Sequence, residues 1–123
     1  MLINLSNHSS SNWDKKQIKD AEELFGSVVD IAFPAVAPEE DILGISELAD
    51  EYFGKCMSLL NDRPNENNAV HVMGEMTFSF ALVSRLMKVN IACVASTTKR
   101  NASDFNGAKL SEFNFVRFRK YVT

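Results

Sequence analysis

Three polar clusters carry residue types that do chemistry, and each follows a short apolar run. The first is Ser6-Asn7-His8-Ser9-Ser10-Ser11, after Leu2-Ile3-Asn4-Leu5. Its short polar side chains and the free N–H groups of a following helix suit a phosphate or a ribose. His8 is the candidate acid or base within it. Simple capping and a solvated turn would use the same residues. The second cluster is Gly74-Glu75-Met76-Thr77, after Ala69–Met73. Gly74 allows close backbone approach, and Thr77 falls in the first turn of a helix whose N-terminus attracts anions. Glu75 there complements the helix dipole. In a pocket it would instead accept hydrogen bonds from an adenine amine or a ribose hydroxyl, or act as a base. The third cluster is Ser96-Thr97-Thr98-Lys99-Arg100, after Ile91–Ala95. Three hydroxyls and two cations at a strand end make an oxyanion grip, with Arg bidentate and Lys a point charge. Arg117, Arg119 and Lys120 in the tail either reinforce that grip or blunt an edge strand.

Other chemistries lack their residues. No GxGxxG follows a strand and no GxxxxGK[ST] occurs, so dinucleotide and P-loop sites are unsupported. Neither histidine has partners at metal-ligand spacing, so no metal or other cofactor is expected. His71 sits between two valines and reads as a hydrogen-bonded core residue. Cys56 and Cys93 lie in apolar runs and read as small buried hydrophobes in a reducing compartment.

The elements that must position these clusters alternate. Strands are expected at residues 2–5, 28–31, 69–73 and 91–95. Helices are expected at residues 13–25, capped by Ser11 or Asn12, at 39–61 and at about 76–88. Apolar strands joined by helices imply a parallel sheet covered on both faces, hence a Rossmann-like α/β fold. Asn106-Gly107 signals a hairpin. Residues 113–121 then form an antiparallel edge strand, with Phe113, Phe115, Arg117, Arg119 and Tyr121 on one face.

The chain has 123 residues, 46% hydrophobic and 24% charged, with a net charge of -3. That is one ordinary globular domain. The acidic balance alone speaks against a generic nucleic-acid binder. Charge is split, however. Residues 1–84 hold 5 Lys/Arg against 14 Asp/Glu, a net of -9, and residues 85–123 hold 8 against 2, a net of +6. A compact anionic ligand suits that basic end better than a long nucleic-acid strand. The first residues have no basic n-region and no run reaches the ~18 apolar residues of a membrane span, so a cytoplasmic protein is expected.

The segments LINLSNH, WDKKQIKDAEEL, HVMGEMTFSFAL, IACVASTTKR and FVRFRKY stand in the order found in small stand-alone CRISPR-associated proteins. The chain resembles that group almost throughout, most specifically in ASTTKR and FVRFRKY. Met76 and Phe78 are bulkier than the small residues of its relatives. The group consists of single-domain relatives of the CARF domain, several of them ring nucleases. The resemblance implies a homodimer with a cyclic oligoadenylate, typically cyclic tetra-adenylate, across its seam. It further implies metal-independent cleavage by 2′-OH attack, which switches off type III CRISPR signalling. By resemblance Ser6, Asn7, Gly74, Glu75, Thr77, Thr97 and Thr98 would touch the ligand, and the reading of the residues adds Ser96, Arg117 and Arg119. His8, Lys99 and Arg100 would be the catalytic group. A sponge or sensor that holds the ring uncut, and a nucleotide-independent interaction module, are the alternatives.

Overall fold

A computed structural model describes the backbone of residues 1–123 and the side chains of all but residues 103–105 and 109–111. The elements are β1 (Leu2–Ser6), a 3-10 turn (Ser10–Asn12), α1 (Lys15–Phe25), β2 (Val28–Asp30), α2 (Ile42–Asn61), β3 (Ala69–Met73), α3 (Met76–Lys88), β4 (Ala92–Phe105) and β5 (Ala108–Lys120). One sheet runs β2-β1-β3-β4-β5. Its first four strands are parallel and β5 is antiparallel to β4. The expected mostly parallel, helix-flanked sheet with a C-terminal antiparallel hairpin is therefore the fold.

Strand alternation sorts side chains onto two faces. Ile3, Leu5, Val70, Val72 and Cys93 face α2 and α3, where Cys56, Leu60, Phe78, Leu82 and Leu86 complete the larger core. Each fully buried Leu or Phe contributes about 1.5–3 kcal/mol through lost apolar hydration. Leu2, Ala69, Val94, Phe115 and Phe118 face α1, where Ala21, Trp13 and Phe25 cover them. Asn4, Ser6 and His71 occupy this second face, so three buried polar residues lie beside the N-terminal end of α1.

Three local expectations are corrected. Asp14, and neither Ser11 nor Asn12, caps α1, its Oδ1 accepting from the Gln17 amide at 2.8 Å. Ser9 caps the 3-10 turn instead, and Ser10 is drawn to Asp30. Second, β4 does not stop at Ala95. It continues through residues 96–105, so Ser96-Thr97-Thr98-Lys99-Arg100 lies within a strand rather than in a loop at a strand end. The apolar run ends at Ala95, but β-branched threonines suit a strand and β5 satisfies their backbone. Asn106 and Gly107, both at positive φ, make the tight turn that joins the two.

Third, the edge-strand face is split. Thr97 pairs with Arg117 while Thr98 pairs with Phe115, which leaves Val116 as an extra residue. Beyond this bulge the alternation changes phase. Phe115 and Phe118 share the α1 face, and Arg117 and Arg119 turn to the other. Thr97 Oγ1 fills the bulge, donating to the Arg117 carbonyl at 3.1 Å and accepting from its amide at 3.2 Å. Lys16 Nζ ties α1 to it by donating to the Val116 carbonyl at 2.7 Å.

Candidate functional site

On the α1 face, at the carboxyl ends of β1 and β3, a cleft of about 580 Å³ opens. Open parallel sheets bind ligands in this place. Ser6, Asn7 and His8 form one wall, and Ser96, Thr98 and Phe113 form the opposite one. Trp13 and Gln17 come from the N-terminal side, while His71, Met73 and Gly74 line the base. Gly74 has a packing reason, because a side chain there would run into the Phe33 ring.

Beneath the cleft runs a continuous polar chain. Asn4 Nδ2 donates to Asp30 Oδ1 and to the His8 carbonyl, each at 2.8 Å. Neither acceptor can donate, so the Asn4 amide orientation is fixed and its Oδ1 faces His71 as an acceptor. His71 Nδ1 therefore carries the proton and donates to Asn4 Oδ1 at 2.9 Å. His71 Nε2 is left to accept from Ser96 Oγ at 2.7 Å. Gln17 Nε2 donates to Ser96 Oγ at 3.0 Å. Ser6 Oγ donates to Asn4 Oδ1 at 2.8 Å. The Trp13 ring stands edge-on to the imidazole with centroids 5.3 Å apart, and Phe118 packs beside it, 5.7 Å from the imidazole and 5.9 Å from the Trp13 ring.

Burial pushes the His71 pKa down to about 4, so the imidazole is neutral at physiological pH. Burial raises the Asp30 carboxyl, but hydrogen bonds from Ser10 and Asn4 outweigh it and hold the group below its ordinary value. The arrangement is a serine hydroxyl on an imidazole acceptor, with the ring oriented by an amide. That is the layout of an activated hydroxyl with its base and its positioning group.

The structure brings together Ser6, Asn7, His8, Gly74, Ser96 and Thr98. Glu75 and Thr77 are committed elsewhere. Glu75 is the N-cap of α3, accepting from the amides of Thr77 at 3.1 Å and Phe78 at 2.7 Å and from Thr77 Oγ1 at 2.8 Å. These bonds, led by the Phe78 amide, lower its pKa. Its own carboxylate thus occupies the N-terminus where an anion was expected to rest. The cations divide. Arg100 shares the strand face of Ser96 and Thr98, opposite Phe113. Lys99 lies with Thr97, Arg117 and Arg119 on the other face.

Sequence reading passed over Asn4, Trp13, Gln17 and Phe113, and it took His71 only as core. A signal was present. Asn4 and His71 each interrupt an apolar strand, and they are direct neighbours in the β1–β3 register. Trp13 stands just before Asp14, the N-cap of α1, and Gln17 in the first turn after it.

Among the described residues no group of His, Cys, Asp or Glu could hold a metal ion. No helix there is long and apolar enough to cross a membrane. Residues 1–119 match the family model described as "Uncharacterized protein MJ1673 family", and the chain belongs to that family. No curated protein and no solved structure matches it.

Proposed function

We propose that two copies of this chain bind a cyclic oligoadenylate, most simply cyclic tetra-adenylate, in these clefts and open the ring without a metal. The observation that carries the reading is the Ser96–His71–Asn4 chain at the floor of a cleft walled by hydroxyls, amides and aromatic rings. Such walls suit ribose and phosphate oxygens, and Trp13 and Phe113 suit purine rings. Arg100, on the strand face of Ser96 and Thr98, and the resemblance to stand-alone CRISPR-associated proteins point the same way.

Cleavage draws on the ribose itself. The 2′-oxygen attacks the adjacent phosphorus, its proton passing to Ser96 Oγ as the Ser96 proton moves to His71 Nε2. A 2′,3′-cyclic phosphate forms and the P–O5′ bond breaks. His8, at the cleft wall, gives the departing O5′ its proton. The attack is already intramolecular, so the cleft's part is to hold the 2′-oxygen in line with the P–O5′ bond. Incubating purified protein with labelled cyclic tetra-adenylate and resolving the products tests this. Linear products are expected, and an unchanged ring at stoichiometric protein contradicts cleavage.

One observation favours a second reading, in which the ring is held uncut. An imidazole with a pKa of about 4 is a weak base. Calorimetric binding of the ring with no product would select that reading. Indifference to the ring would remove both.

A further inference from the structure

Four large apolar side chains stand in solvent on the first turn of α2 and the first two turns of α3. Ile42 is 83% exposed, Leu43 70%, Met76 83% and Phe80 77%. Ile42, Met76 and Phe80 rim one groove of about 730 Å³, floored by Ile45 and Ala81. A monomer gains nothing from holding these side chains in water, and clustered exposure of this kind marks an interaction surface.

Charge flanks the patch on both sides with opposite signs. Glu39, Glu40 and Asp41 are exposed immediately before α2, and Glu40 and Asp41 border the groove. Past α3, on the side of the sheet that α2 and α3 cover, the hairpin presents Lys99, Arg117 and Arg119. No salt bridge of the described residues engages these three cations. The order across the face is acidic, apolar, basic.

The geometry points to a second copy of this chain as the occupant of the patch. A two-fold axis through the apolar centre lays each copy's acidic edge on the partner's basic edge, twice over. That self-complementarity is what an isologous interface requires. A nucleic acid or an anionic membrane would meet the acidic edge and be repelled. The inference rests on the paired-chain part of the proposed function and is independent of its ligand. It also gives Lys99, Arg117 and Arg119, which face away from the cleft, a role of their own.

Sedimentation equilibrium of the full chain without ligand tests it. The wild type is expected to dimerise, and more weakly as salt rises. Met76→Glu with Phe80→Glu is expected to give a monomer with unchanged circular dichroism, since both side chains are exposed. Arg117→Glu should weaken the dimer tenfold or more, and adding Glu40→Arg should restore it at least in part. A wild type that stays monomeric at the highest attainable concentration overturns the inference. So does a dimer indifferent to the Met76 and Phe80 changes. A normal dimer that ignores cyclic tetra-adenylate instead sinks the ligand reading and leaves the interface standing.

Discussion

At the scale of single residues, His71 does two things at once. It fills a buried position against Trp13 and Phe118, and it offers Nε2 to Ser96, which lines the cleft. The first role has a cost that pH reveals. The unfolded chain protonates this histidine near its ordinary value of 6.5, while the folded chain resists down to about 4. Stability is therefore complete above pH 6.5 and falls as pH drops through that window, because the unfolded state binds the extra proton. Between about pH 7 and pH 5 the loss is on the order of 2 kcal/mol. Urea titrations at the two pH values measure it, and equal unfolding free energies would contradict a buried neutral imidazole. The second role is separable from the first. Ser96→Ala leaves His71 Nε2 and Gln17 without one neutral partner, a change of about 1 kcal/mol in stability. We expect that variant to fold, to bind the ring within a few-fold of wild type and to cut it at least a hundredfold more slowly. Single-turnover rates beside a binding titration check this, and wild-type cleavage would remove Ser96 from the reaction.

At the scale of elements, the bulge in β5 decides which residues meet the core. Val116 is the extra residue, and it lets Phe115 and Phe118 both reach the α1 face three positions apart. Deleting Val116 restores strict alternation and throws every residue beyond it to the opposite face. Phe118 would leave Trp13, Phe25 and His71, and Arg117 or Arg119 would be driven toward the core. We expect that deletion to unfold the chain or to lower its melting temperature sharply, whereas Val116→Ala, exposed at the bulge, should be nearly neutral. A deletion variant as stable as wild type would contradict the register. The same element shows what could be read beforehand. Helices, the parallel strands and the Asn106-Gly107 turn follow from periodicity and turn chemistry, which are local. The bulge depends on how two strands pair, so no spacing in residues 113–121 announces it. The continuation of β4 through Ser96–Arg100 was hidden for a related reason. Its polar residues break the apolar run, and only the partner strand makes them extended. The site suffered accordingly. Its loops at Ser6–His8 and Gly74 were legible, but Lys99 and Arg100 were read as neighbours in a grip, and strand alternation sends them to opposite faces.

At the scale of the whole molecule, the two faces of the sheet divide the work. The α1 face carries the cleft and its hydrogen-bonded floor. The α2–α3 face carries the exposed patch between acidic and basic edges. The net charge of -3 hides this arrangement, because the acidic residues crowd the first two-thirds of the chain and the cations its end. If two chains pair through the patch as proposed, those charges meet across the seam and each chain keeps its own cleft on the opposite face of its sheet. The most direct measurement is a calorimetric titration of cyclic tetra-adenylate into the wild-type protein, repeated with Asn4→Ala. The account predicts saturable binding, weakened at least tenfold when Asn4 no longer orients His71 and the His8 loop. Absence of heat with a folded dimeric wild type, or equal affinity for the variant, would contradict the placement of a nucleotide ligand in this cleft.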